Sequence, residues 1–274
     1  MNTVLLTFKR CLFFVCVSEN FPFSFFLFPG RTFRFRFSKT VFSFFGLYLQ
    51  RIAVLLPDSS VGRIDSFLSL NRILTDGRRQ ENRKGGIIYL LNERLSLLPG
   101  DLLDIFEGHG IARKKLKTEL SLFMSGERSV ERYREAGINW WDYCGQTLVN
   151  SYPTYFEKLP PLIAKINREK RNSKNYVLFL GSTDAESNQA PCLSLVQFQI
   201  EGGELVMTAY QRSSDANLGL PADLYHLYLM SRQIDLPLKS ITLNLGNVHI
   251  YENNEERTRR LLAGEEGVKF DLNV

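Results

Sequence analysis

The sequence of 274 residues is short of the side chains that cross-link chains or ligate metals: it has four cysteines, three histidines and two tryptophans. Cys11 and Cys16 lie near the N-terminus, while Cys144 and Cys192 stand alone further on. This is no paired ladder, and nothing beside His109, His226 and His249 has zinc-ligand spacing, which argues against a disulfide-stapled secreted domain and predicts no metal. The body therefore reads as a reduced, cytoplasmic protein, in which a free cysteine is either a small buried hydrophobe or a nucleophile. Long apolar runs are also missing. Lys9, Glu19, Arg31 and Lys39 interrupt the Phe-rich start of the chain before any stretch reaches the roughly 18 residues of a membrane helix, so no membrane partner is expected. The formal charge of +5 is no property of the body either: residues 1–57 hold seven bases against one acid, Glu19, and from Asp58 onward acids outnumber bases by one. Nucleic-acid binding by the folded part is not expected.

With 44% hydrophobic and 23% charged residues, the chain can bury a sizeable core. Fourteen of its 21 phenylalanines fall before residue 46, so residues 1–57 read as a Phe/Arg-rich extension outside the fold, and residues 58–274 as one domain. The extension is low in acids and rich in Arg, which suits an organellar transit peptide, yet Pro22 and Pro29 spoil a smooth amphipathic helix. A dispensable extension is the first reading; targeting and a structured arm are the alternatives.

In the body, Ser59 or Ser60 can cap a helix with Ile64, Phe67, Leu68, Ile73 and Leu74 on one face, closed by Gly77. A polar basic loop, Arg78 to Gly86, follows. Residues 111–136 carry helix-spaced apolar positions (Leu116, Leu120, Phe123, then Val130 and Tyr133), interrupted at Gly126 and stopped at Gly137. Pro160 and Pro161 start another helix, continued by Leu162 to Arg171. Strands are predicted at Tyr176 to Gly181 and at Ser194 to Ile200, where Val196, Phe198 and Ile200 alternate. Glu201-Gly202-Gly203-Glu204 turns the chain back through Leu205 to Gln211. Pro221 opens a helix to Met230, Ile241 to Tyr251 is a strand, and Val268 to Val274 is a last one. Helices on a mostly antiparallel or mixed sheet give an α+β class.

The chemistry concentrates around Ala190-Pro191-Cys192 and the segment Gln211-Arg212-Ser213-Ser214-Asp215 that follows eighteen residues of hairpin. A guanidinium beside a thiol favours the nucleophilic thiolate, and the same group can fork onto phosphate oxygens. Ala-Pro-Cys, then Gln-Arg-Ser-x-Asp-x-x-Leu-Gly-Leu-Pro, then Gly246-Asn247-Val248-His249-Ile250-Tyr251-Glu252-Asn253 together resemble the thymidylate synthase family. The similarity extends back through Thr118 to Gly126, Ile138 to Asp142 and Glu81 to Gly86, covering about residues 60–274.

The resemblance implies a homodimer paired through its sheet and a nucleotide-biosynthesis transferase that uses 5,10-methylenetetrahydrofolate on a pyrimidine nucleoside monophosphate. Cys192 would add to C6, making C5 a carbon nucleophile. Glu119 would organise water and move protons, with Tyr152 as a further catalytic residue. Arg83, Arg212, Ser213 and Gln211 would bind the nucleotide, the first three at its phosphate; His249 and Tyr251 would take the sugar hydroxyl. Asp215 would meet the base or the pterin, and Trp141 the folate. Paired arginines donated across the family's dimer correspond here to Ser173-Lys174-Asn175, leaving Lys174 as the one cation for that role.

Asp223 is the decisive departure, because the synthases carry Asn there. An amide answers uracil's N3–H donor and O4 acceptor, whereas a protonated carboxyl answers cytosine's N3 acceptor and N4 amino donor. Asp at this position resembles the deoxycytidylate hydroxymethylase branch, so dCMP or CMP is the expected substrate, with dUMP methylation as the alternative. Leu193 replaces a common His, and the 23 residues after Tyr251 suggest a tail too short to close over the folate, so that water captures the one-carbon unit as a hydroxymethyl group. A non-catalytic nucleotide- or RNA-binding relative is the remaining alternative.

Overall fold

A computed structural model of the chain describes residues 68–181, 189–265 and 267–271, together with four strands of the N-terminal segment. Those strands are β1 (Asn2–Phe8) paired antiparallel with β2 (Cys11–Val17), and β3 (Ser24–Leu27) paired antiparallel with β4 (Arg31–Arg34). The chain divides into two compact units, residues 1–57 and 58–274. The candidate caps Ser59 and Ser60 lie outside the described residues. Among the described residues no helix is long and apolar enough to cross a membrane.

The second unit opens with α1 (Leu70–Asp76) and continues through β5 (Arg78–Asn82), β6 (Gly85–Leu97), α2 (Pro99–Gly108), α3 (Arg113–Met124), α4 (Val130–Glu135), α5 (Tyr152–Phe156) and α6 (Leu159–Glu169). Then come β7 (Val177–Phe179), β8 (Leu193–Glu201), β9 (Glu204–Gln211), β10 (Ser214–Asp215), α7 (Gly219–Ser231), β11 (Leu238–Tyr251) and α8 (Glu255–Leu262). The sheet order is β5-β6-β11-β9-β8-β7, with β10 beside β11. Strand β11 runs parallel to β9 and β10 and antiparallel to β6; the other pairs are antiparallel, so the sheet is mixed and the class is α+β, as expected.

Local chemistry explains the central hairpin. Gly202 and Gly203 take φ of 60° and 83°, the left-handed pair that matches the twist of flanking strands. Alternation then buries Val196, Phe198 and Ile200 opposite Ala209, Met207 and Leu205. Helix α7 is buried through Leu220, Leu224, Leu227 and Met230. Each such side chain contributes about 1.5–3 kcal/mol on leaving water. On the other sheet face Phe179 is 66% and Tyr210 41% exposed, beside the partly buried Leu195 and Thr208.

Two expectations are corrected. Arg78 to Gly86 is no loop but a β-hairpin: all five residues of β5 are exposed, so no apolar alternation marked an edge strand. Val268 to Asp271 is irregular, because Asp271 spends its backbone N–H on the Asn254 side chain (2.9 Å) rather than on a strand neighbour; residues 272–274 lie outside the described residues. Helix α8 was not foreseen, although Glu255 and Glu256 at its start and Arg259 and Arg260 at its end complement the helix dipole.

Candidate active site

The end of β9, the start of β8, the β5–β6 turn and the end of β11 surround a cavity of about 270 Å³. Cys192 enters it just before β8, and Arg212 just after β9. Their juxtaposition follows from the hairpin register, which sets Leu193 opposite Gln211. Arg212 clamps the thiol segment: its backbone N–H donates to the Cys192 carbonyl (2.8 Å), Nε to the Pro191 carbonyl (3.1 Å) and Nη2 to the Ala190 carbonyl (2.9 Å). Gly246 of β11 allows this approach, since a Cβ there would lie 2.9 Å from the Arg212 carbonyl oxygen and 2.8 Å from Tyr210 Oη. The expected thiolate is not the resting form. Burial raises the Cys192 pKa above its ordinary value, outweighing the opposing charge of Arg212. Tyr152 closes the cavity beside the thiol; its ring stacks on Phe123 at 5.1 Å, and Leu193 N–H donates to its Oη at 3.3 Å.

Glu119 sits behind that wall rather than on it. It interrupts the buried stripe of α3 formed by Leu116, Leu120 and Phe123. The Nε1 atoms of Trp140 and Trp141 each donate to its Oε1 at 2.6 Å, and His226 Nε2 lies 3.3 Å from Oε2. The same Nε2 is 3.0 Å from the Leu116 carbonyl. Facing two oxygens, it must carry the imidazole proton, and burial lowers the His226 pKa to about 4, so the ring is neutral. Burial pushes Glu119 up to about 7 against the pull of the two indoles. Trp141 lines the cavity and so connects this carboxyl to it.

Gln211 and Asp223 form a second hidden pair, with Gln211 Nε2 donating to Asp223 Oδ2. Burial raises Asp223 to about 7, a value at which the carboxyl is part protonated and can donate as well as accept. Asp215 lines the cavity from β10, directly beside His249 of β11, and accepts from Asn217 N–H at 3.0 Å. Burial raises it to about 7 and lowers His249 to about 4. Tyr251 meets His249 edge-on at 5.3 Å. Arg83 and Ser213 also reach the cavity.

Lys174, expected from across a dimer rather than from its own chain, is exposed and does not line this cavity; its carbonyl accepts from Gln197 Nε2 at 3.3 Å. Sequence reasoning missed Lys84, Tyr143 and Gln189 on those walls, and His226 behind them. Lys84 had a signal, since it follows Arg83 in a stretch already singled out. Among the described residues no cluster of three or more acidic, histidine or cysteine side chains could hold a metal ion. An indole at Trp141 and a buried acid at Asp215 in one cavity fit a flat heterocycle with N–H donors, as the pterin of a folate is.

A pH dependence of stability follows. An acid held at about 7 in the fold, against 3.8 ordinarily, contributes stability fully present below the ordinary value and lost as pH rises through 7. Asp223→Asn removes that loss. Its stability gain over the parent in urea unfolding of the ligand-free protein should be about 2–3 kcal/mol larger at pH 8 than at pH 5. An equal gain or loss at both values would show that the carboxyl is not perturbed.

Residues 66–273, nearly the whole second unit, match the thymidylate synthase family, whose members transfer a one-carbon unit from methylenetetrahydrofolate to C5 of a pyrimidine nucleotide. With that match over most of its length, this chain belongs to the thymidylate synthase family and is a one-carbon transferase.

Proposed function

We propose that the enzyme hydroxymethylates C5 of a cytidylate, dCMP or CMP, through a covalent bond from Cys192 to C6. The observation that carries this reading is the Asp223 carboxyl, hydrogen-bonded by Gln211 and raised to about 7 beside the thiol. One Asp223 oxygen takes the Gln211 amide. A base that enters past the cavity wall, behind which Asp223 lies, would then receive the carboxyl proton at cytosine N3 and donate to it from the N4 amino group, a pattern uracil reverses.

Proton transfer to N3 compensates the negative charge that develops as the sulfur adds to C6, so the interaction strengthens toward the transition state. Since burial keeps Cys192 protonated, addition requires the thiol proton to leave as the C–S bond forms. Arg212 and Lys84 oppose the cost of the thiolate. Tyr152, a buried phenol next to the thiol that keeps its own proton, would orient a water that carries the departing C5 proton toward Glu119. Glu119, poised near neutrality and held by the Trp141 indole, would accept or return protons through water reaching it from the cavity. When bound, methylenetetrahydrofolate supplies a carbon at the formaldehyde level. In the overall balance C5 would give up its proton and take the CH2 unit, whose bond to the folate would break to leave tetrahydrofolate; water would supply the hydroxyl and Cys192 would leave C6, so no net oxidation or reduction occurs.

The balance provides the test. Hydroxymethylation releases tetrahydrofolate, whereas methylation uses the folate as reductant and releases dihydrofolate. Incubation with dCMP and methylenetetrahydrofolate should give no rise in dihydrofolate absorbance while 5-hydroxymethyl product accumulates. Stoichiometric dihydrofolate would establish methylation instead.

A further inference from the structure

Arg83, Lys84 and Arg212 all line the cavity, and among the described residues none of them forms an ion pair with a carboxylate. Arg79, four residues before Arg83, is by contrast neutralised by Glu252 at 2.7 Å and Glu255 at 2.9 Å. Cations gathered in a partly buried cavity repel one another, and Lys84 shows it, its pKa lowered by burial and by the Arg83 charge. Such an arrangement costs stability unless an anion completes it.

The β5–β6 turn fixes Lys84 in place. Its backbone N–H donates to Asn82 Oδ1 at 2.7 Å, and Gly85 takes φ of 116° to close the turn. Gly86 presses against Glu252, whose Oε2 would be 2.3 Å from a Cβ there, so the hairpin is docked without a spare side chain between. The ammonium then lies 4.6 Å from the centroid of Tyr143, itself a cavity wall. The hydroxyl of Ser213 lines the same space.

We propose that Lys84 is a third cation of the nucleotide phosphate site, beside Arg83, Arg212 and Ser213 of the same chain. A phosphate monoester carries between one and two negative charges at neutral pH and accepts several charge-assisted hydrogen bonds, matching three cations and a hydroxyl. The inference rests on the nucleotide reading above, and its test separates the two.

Calorimetric titration of the full-length enzyme with dCMP, dUMP, deoxycytidine and inorganic phosphate decides it. Lys84→Gln should weaken both nucleotides and inorganic phosphate by roughly 10- to 100-fold, leave deoxycytidine unchanged and flatten the salt dependence of nucleotide binding. Lys84→Arg should restore most of the affinity. Equal weakening of nucleoside and nucleotide would make Lys84 merely structural and overturn the proposal. If the parent enzyme bound neither nucleotide, the nucleotide reading would itself fall and this proposal with it. Nucleotide binding that is indifferent to Lys84→Gln would sink the proposal alone.

Discussion

Asp223→Asn is expected to move the preferred base from cytosine to uracil. The substitution keeps the size of the side chain and the Gln211 contact, because the Asn oxygen can accept the Gln211 amide as Asp223 Oδ2 does. What changes is the face shown to the base. The amide offers an N–H to uracil O4 and an oxygen to N3–H, but has no proton for cytosine N3. Two mismatched hydrogen bonds at about 1–3 kcal/mol each give a swing of roughly 10²- to 10⁴-fold in the dCMP:dUMP ratio of kcat/KM. Much of the effect should appear in kcat, since N3 protonation matters most in the transition state. The same variant is expected to gain stability at pH 8, so lost dCMP activity could not be blamed on unfolding. Unchanged preference would show that Asp223 does not read the base.

Cys192→Ala should abolish exchange of the C5 hydrogen, with a fall on the order of 10⁴- to 10⁶-fold, because without a C6 bond C5 never becomes a nucleophile. Nucleotide binding should survive, as the cations and Ser213 remain. Cys192→Ser is expected to be nearly as inactive: the hydroxyl is a weaker nucleophile, and burial already raises even the thiol above its ordinary pKa. Parent enzyme held with a 5-fluoropyrimidine nucleotide and the folate should carry a stable adduct on Cys192 that neither variant forms. Adduct formation by Cys192→Ala would move the nucleophile elsewhere, and residual turnover within tenfold of the parent would rule out covalent catalysis.

How much of this was legible in the residues depended on whether local pattern or distant contact decided. The β8–β9 hairpin was readable because alternation and the Gly202-Gly203 turn are local, and from it followed the meeting of Cys192 with Arg212. Helix α3 was equally plain, with its Leu116, Leu120 and Phe123 stripe. The β5 edge strand was not, since an exposed strand held only by β6 needs no apolar residue. Helix α8 was missed because its eight residues carry few apolar positions, of which Leu261 is buried. At the site, the residue types were legible but not their layering. No spacing shows that Glu119 and Asp223 stand behind the cavity, or that His226, seven helical residues after Gly219, turns onto Glu119 from α7. Nor could sequence reveal that burial would outweigh Arg212 at the thiol: that balance belongs to the packed interior.

The base is the hinge of the functional account, and one measurement reaches it directly. The enzyme is incubated with methylenetetrahydrofolate and CMP, dCMP or dUMP in separate reactions, each carrying tritium at C5, and tritium release is followed by mass analysis of the nucleotide. The account predicts release from a cytidylate with the added mass of one CH2O, and little release from dUMP. Release confined to dUMP, with the added mass of one CH2, would contradict it and make the enzyme a methylating synthase.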